Sequence, residues 1–364
     1  MRKKIGFRHF DKMLFVAPIL IFLVGILSLY SASFRMGQTL GQTFATKQLL
    51  WMAIGILLVF LAVRHDYFKL QDFVWPVYIL TLFLLVLVLF MPARFGAHRW
   101  IGIAGFNLQP SELAKLAVVF ALSRFFAAHR IEFISKDRLL VPFGIVAAPF
   151  FLVLIEPDLG TALSFIPVFF AMLYHWGFKG RHLLLLAVLG LMASPLFFFF
   201  LKDYQKARLL VFLNPNTDPL GAGYTIIQSK IAIGSGGLFG KGFMEGTQNQ
   251  LRFVPEKHTD FIFSVIAEEG GFLASAALLL LFCLIVRRGY LIASQTPDRF
   301  GSQLACGIAT MIAVQALMNL GMTMGLLPVV GVPLPLVSYG GSSVVITMIF
   351  IALLLNIKIH RTLF

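Results

Sequence analysis

Apolar runs long enough to cross a bilayer recur from one end of this chain to the other, and they constrain its fold more than any other feature. A spanning helix needs about twenty mostly apolar residues, with roughly 17–25 tolerated. Ten segments of the 364 residues qualify: 13–33, 48–63, 73–91, 111–127, 139–155, 159–175, 182–201, 262–286, 303–327 and 339–357. Hydrophobic residues make up 59% of the chain and 39 of them are phenylalanine, more than a water-facing surface could hide. The reading is therefore an all-α polytopic membrane protein with ten transmembrane helices, built as one domain over 1–364. The first run, "MLFVAPILIFLVGILSLYSAS", exceeds the core of a cleaved signal peptide and is expected to stay as a span. Pro157 and its acidic neighbours in "IEPDLGTA" argue for a turn between the fifth and sixth spans.

A net charge of +14 could suggest a nucleic-acid partner, but in such a chain the position of the basic residues matters more. With both termini in the cytoplasm, the segments on that side carry 17 Lys or Arg. The short loops opposite carry four: Arg35, Lys47, Arg94 and Arg99. This asymmetry sets the expected orientation and leaves 202–261 as a large extracytoplasmic loop between spans seven and eight. Within it, "SGGLFGKG" imitates a phosphate loop, but Ser235 and Gly242 are the wrong residues at two defining positions. "YTIIQSKIAI" reads as a partly buried or interfacial helix. Cys283 and Cys306 fall inside apolar runs, so neither a disulfide framework nor a thiolate metal site is expected, and both are read as core residues.

Ionisable groups inside spans cost about 2.5–3.5 kcal/mol each on insertion scales, so their depth carries information. Glu112 and Lys115 lie three apart on one face at the outer end of span four, which suits a pair, or a lysine facing an anionic ligand. Glu156 and Asp158 follow span five, Arg99 and Trp100 precede span four, and Asp260 precedes span eight. All of these are expected at the outer leaflet, around a polar cavity for an amphipathic ligand. Asp260 borders Phe261, Ile262 and Phe263, whose desolvation raises an acid's pKa, while Lys257 nearby lowers it. That balance suits a general base and also an interfacial ion pair. His258 reads as a loop hydrogen-bonding residue more readily than as a metal ligand, and Glu268 and Glu269 as helix-packing groups. Gly321 and Gly325 in "GMTMG" have the spacing of a close helix contact, and Ser342 and Ser343 suit either ligand donation or capping of span ten.

Five stretches in fixed order, "HRWIGIAGFNLQPSELAK", "EPDLGTA", "NPNTDPLGAGYTIIQSKIAIGSGGLFGKG", "PEKHTDFIFSVIAEEGG" and "GLLPVVGVPLPLVSYGGSS", resemble the SEDS family of bacterial cell-wall polymerases. Gly270 departs mildly from the pattern, where relatives often carry a bulkier residue. The resemblance implies a peptidoglycan glycosyltransferase that polymerises lipid II, an undecaprenyl-pyrophosphate disaccharide-pentapeptide, at the outer face of the cytoplasmic membrane. It implies a class B penicillin-binding protein as partner within the elongation machinery. The family's catalytic aspartate maps onto Asp260, and its pair in the outer part of span four maps onto Glu112 and Lys115. Arg99, Lys115, Arg208, Lys230 and Lys257 are candidates to meet the leaving pyrophosphate, with His258, Asp158 and Ser342 as further substrate contacts. A divalent cation, Mg or Mn, beside Asp260 is compatible with this chemistry, although the sequence holds no recognisable metal cage. A lipid II flippase and a non-catalytic scaffold for the transpeptidase are the rival readings. A flippase would carry charges through both leaflets, whereas here they gather at one end.

Overall fold

The computed structural model describes residues 11–33, 44–92, 99–103, 106–131, 140–200, 203–214, 218–219, 221 and 223–360. Arg35, Arg94, the basic residues before Asp11 and those of 132–139 lie outside the described residues. Long helices dominate: α1 Lys12–Ser33, α2 Phe44–Val63, α3 Leu70–Val88, α4 Pro110–Ala128, α5 Leu140–Ile155, α6 Leu159–Trp176 and α7 Gly180–Phe200 form the first group. A short antiparallel hairpin, β1 Ile101–Ile103 and β2 Phe106–Leu108, precedes α4 and pairs Ile101 with Leu108. The sequence reading had not marked it. After α7 come three loop helices, α8 Asp203–Leu213, α9 Tyr224–Ser235 and α10 Thr247–Gln250, and then α11 Ile262–Gln295, α12 Arg299–Thr323 and α13 Gly341–His360.

Seven of these helices are long and apolar enough to cross a membrane, and α5 and the first part of α7 are shorter apolar helices. The chain is thus a polytopic membrane protein. In α4 the apolar run is interrupted by Glu112, Lys115 and Arg124. Prolines stand inside α1, α3, α5, α6 and α7, as membrane helices permit where neighbours re-satisfy the freed carbonyls. Burial separates a centre from a rim. In α12 and α13, 78% of the apolar window is buried, against 28% in α2 and α3, so the former pair makes the core. Helix α12 packs against α4, α6, α9, α11 and α13. Its buried polar side chains Gln303, Gln315 and Asn319 lie among protein atoms instead of lipid. At the rim, Phe73, Ile79, Phe83 and Leu184 project outward, the large exposed apolar surface that a lipid solvent requires.

The boundaries differ from the sequence reading where polar residues extend a helix beyond its apolar run. Helix α11 continues nine residues past 286, carrying Arg287 and Arg288 out of the apolar zone, and is broken at Gly271 (φ 65°, ψ −161°). Gly321 and Gly325 do not form a helix-packing motif. A Cβ on Gly321 would strike Leu327 of the following turn, and Gly325 (φ +71°) lies beyond the end of α12. Cys306 is buried as expected, whereas Cys283 is exposed on the outer side of α11. The amphipathic loop helix is present as α9, with Ile226, Ser229 and Ala232 buried.

Candidate active site at one end of the bundle

The segment carrying Asp260 is fixed through its backbone at three successive carbonyls. Tyr339 N–H donates to His258 O (2.9 Å), Ser338 Oγ to Thr259 O (2.6 Å), and Asn319 Nδ2 to Asp260 O (2.9 Å). Asn319 Nδ2 also reaches Val332 O (2.7 Å), so one amide near the C-terminal end of α12 joins the Asp260 segment to the loop before α13. Ser338 in turn accepts from Leu334 N, and Gln48 of α2 brackets it by donating to Ser338 O and accepting from Gly340 N. The His258 ring stacks on Phe44, centroids 4.6 Å apart and nearly parallel, and Phe44 also meets Tyr339.

These ties hold the backbone and leave the carboxylate of Asp260 with no hydrogen-bond donor among the described residues. It faces a cavity of about 240 Å³ lined by Arg208, Val211, Glu256, Phe261 and Val329. Gly331 (φ +73°) closes one side, where a Cβ would stand 3.3 Å from Asp260 Oδ2. Burial, followed by the like charge of Glu256, pushes Asp260 up to about 6, against the opposing pull of Arg208 and Arg99. A carboxylate in that range is ionised at neutral pH yet basic enough to accept a proton.

Arg99 joins this cavity to a second polar group. Its Nε donates to Glu156 O (3.2 Å) and its guanidinium also donates to Pro157 O, across the turn between α5 and α6. Asp158 caps α6 by accepting from Thr161 N, and it also accepts from Ser111 Oγ (3.0 Å) and Gln109 Nε2 (3.3 Å) at the start of α4. Ser342 does not cap its own helix: its Oγ donates to Asn107 O and accepts from Gln109 N, stitching α13 to the hairpin. Glu156 is fully buried and neither of its carboxylate oxygens has a partner among the described residues. Burial and then Asp158 push it up to about 9, only partly offset by Arg99, so its neutral acid prevails at pH 7.

The remaining candidates are placed elsewhere. Lys115 and Glu112 close on each other at 2.6 Å with 1% and 2% of their side chains exposed, a buried pair within α4. Lys257 is buried and donates to Asn249 O, inside the network that anchors the loop. Lys230 is exposed on α9 beside Gly325. Glu268 accepts from Gln248 N, Asn249 N and Lys241 Nζ at the start of α10, while Glu269 accepts from Ser31 of α1 and from Asn249 Nδ2. The two glutamates therefore clamp the loop onto α11 and α1. Sequence reading missed Asn319, Gln109, Ser111 and Gly331. Asn319 alone gave a usable signal, an amide within an apolar run.

With this geometry in place, similarity to known proteins decides the family. The model of the FtsW, RodA and SpoVE group, described as cell cycle protein, matches residues 11–363. The chain belongs to the SEDS family. Among SEDS relatives it is 38% identical to the peptidoglycan glycosyltransferase MrdB of Escherichia coli, covering 97% of this chain and 94% of that one. It is 36% identical to the stage V sporulation protein E of Bacillus subtilis, covering 96% of each. Of solved SEDS structures, one chain from a peptidoglycan synthase complex that coordinates polymerization and crosslinking superposes with a TM-score of 0.82, at 31% identity over 97% of this chain and 98% of that one. The rod shape determining protein RodA of Thermus thermophilus superposes at 0.72, with 29% identity over 97% of both chains.

Proposed function

We propose that this chain is a peptidoglycan glycosyltransferase that polymerises lipid II at the outer face of the bacterial cytoplasmic membrane, with Asp260 as the general base. The observation that carries the reading is the Asp260 carboxylate, without a hydrogen-bond donor among the described residues and raised to about 6, in a cavity it shares with Arg208. Asp260 takes the proton of the acceptor sugar's 4-hydroxyl as that oxygen attacks the anomeric carbon of the donor. Undecaprenyl pyrophosphate leaves from the opposite face, giving a β-1,4 link with inversion and no covalent enzyme intermediate. Arg208 and Arg99, the cations whose fields reach Asp260, are the groups assigned to the departing pyrophosphate. Glu112 and Lys115 are assigned to holding α4 in place, because their charges satisfy each other. Lys257 and Lys230 contribute long-range positive charge at most.

No group of three His, Cys, Asp or Glu among the described residues could hold a metal ion. Two carboxylates, Glu256 and Asp260, do line the cavity, enough for a Mg or Mn ion only if substrate phosphate supplies further ligands. The mechanism above routes no step through such an ion. We place ten crossings in the membrane, with α4, α5 and α7 joining the seven spans counted above, and assign a class B penicillin-binding protein of the elongation machinery as partner. The solved synthase complex supports that last assignment.

The test is strand synthesis from lipid II by the purified full chain with its penicillin-binding partner, the transpeptidase blocked. Wild type is expected to make glycan strands, and Asp260→Asn to lose at least about 10²-fold in rate, as removal of a general base does. Wild-type-rate synthesis by Asp260→Asn would remove the base from the mechanism. Movement of lipid II across vesicles without synthesis would make the chain a transporter. A chelator arm decides the cation: unchanged rate dispenses with it.

A further inference from the structure

The end of the bundle farthest from Asp260 holds a second cavity, also of about 240 Å³. It lies where α4 and α6 finish and α12 begins, at the opposite end of the 34-residue α11 from the active site. Arg130 and Arg299 flank it, and neither has an ion-pair partner among the described residues. Its one acidic lining residue, Asp298, is already engaged, accepting from Tyr67 OH and from Gly301 N (2.6 Å). Its floor is fixed as well. Ser302 Oγ donates to Ala293 O (2.7 Å), so the 2.8 Å contact with His175 Nε2 has the imidazole as donor. Beside them stands Gln303, 4% exposed, whose Oε1 is buried with no partner among the described residues.

A buried amide without a partner is costly, by an amount comparable to the hydrogen bond it lacks, and a ligand with a donor group would relieve it. Two guanidiniums at the rim with no ion-pair partner among the described residues match an oxyanion with several acceptor oxygens, above all a phosphate. We propose that this cavity binds a phosphate-bearing anion whose attached group carries a hydroxyl, Arg130 and Arg299 taking the phosphate oxygens and Gln303 Oε1 accepting from the hydroxyl. A phosphatidylglycerol headgroup has this chemistry, and so does a small soluble phosphate ester. In the topology proposed above, the cavity lies at the level of the inner-leaflet headgroups.

The experiment uses the full chain in a zwitterionic detergent and follows its thermal unfolding, together with native mass spectrometry. It compares added phosphatidylglycerol, phosphatidylcholine, glycerol 3-phosphate and inorganic phosphate. Phosphatidylglycerol is expected to raise the unfolding temperature and remain bound, and Arg130→Gln/Arg299→Gln to weaken that binding by about tenfold or more, the worth of one charge-assisted hydrogen bond. Gln303→Leu should weaken phosphatidylglycerol while leaving any response to inorganic phosphate unchanged. Protection by glycerol 3-phosphate equal to that by the lipid would assign the site to a soluble ester. The control Lys179→Gln/Arg181→Gln, which changes basic residues outside the cavity lining, should bind as wild type. Equal weakening by this control, retained binding in Arg130→Gln/Arg299→Gln, or no preference over phosphatidylcholine would overturn the proposal. Unfolding of each variant without ligand identifies any that is misfolded. Arg299→Gln alone, which removes an exposed side chain, gives the same reading if the double variant fails to fold.

Discussion

Asp260 owes its chemistry to the separation of backbone from side chain. Three carbonyls in a row are bonded, so the peptide cannot drift, while the carboxylate has no hydrogen-bond donor among the described residues and shares its cavity with Glu256, Arg208 and apolar wall. Its raised value gives the sign of the pH response. The base must be ionised, so the rate should fall as pH drops through about 6 and stay level above it, on that limb of the profile. Asn319→Ala should lower kcat by more than it raises KM and leave the acidic limb where it was, since the amide positions Asp260 through the main chain. Steady-state kinetics at several pH values would separate the two effects. At Glu156 the neutral acid prevails, so Glu156→Gln, which keeps that charge state, should retain activity within a few-fold, whereas Asp158→Asn weakens the acceptor that holds Ser111 and Gln109. A loss in Glu156→Gln as deep as that in Asp260→Asn would show that Glu156 works as an anion. In α4, Glu112→Gln strands a buried ammonium and should cost about 3–5 kcal/mol, much of it recovered in Glu112→Gln/Lys115→Met, as read by denaturation in detergent.

At the scale of elements, the loop before α11 is held by close backbone approach as much as by Glu268 and Glu269. A Cβ on Gly236 would lie 1.9 Å from Ala267 O, and one on Gly240 (φ +82°) 2.1 Å from Glu269 O. Gly236→Val should therefore lift the loop and speed tryptic cleavage at Lys241 and Arg252, while the membrane helices remain protected. An unchanged cleavage pattern would mean that the glutamate contacts alone hold it. The break at Gly271 belongs to the same contact, since a side chain there would meet Gly240 N at 2.3 Å. The pair Glu268 and Glu269 was read from sequence as structural, but its partners lie in α10 and α1, far away in the chain. Apolar length gave the helices, because lipid leaves an unpaired backbone few alternatives. It could not give the extra turns of α11, where Arg287 and Arg288 continue the helix beyond the apolar zone.

For the molecule as a whole, orientation is the property that function depends on. In a variant with both cysteines replaced, Asn214→Cys should react with a membrane-impermeant maleimide on intact cells. Ser294→Cys, at the far end of α11, should react only after permeabilisation. The reverse pattern would put Asp260 on the wrong side for a lipid-linked substrate presented outside. The sequence by itself determined the helical membrane architecture, the family and the set of charges gathered near one end. The architecture and the clustering of charges follow from composition and spacing along the chain, where the solvent selects the pattern, and the family follows from the five stretches that resemble it. Only the tertiary structure decided which of those charges are already paired. It closed Lys115 on Glu112, drew Lys257 into the loop anchor, and left Asp260 beside Arg208 with no donor among the described residues. The physical reason is that pairing is a matter of a few ångströms between side chains on different elements, a distance that no one-dimensional pattern carries.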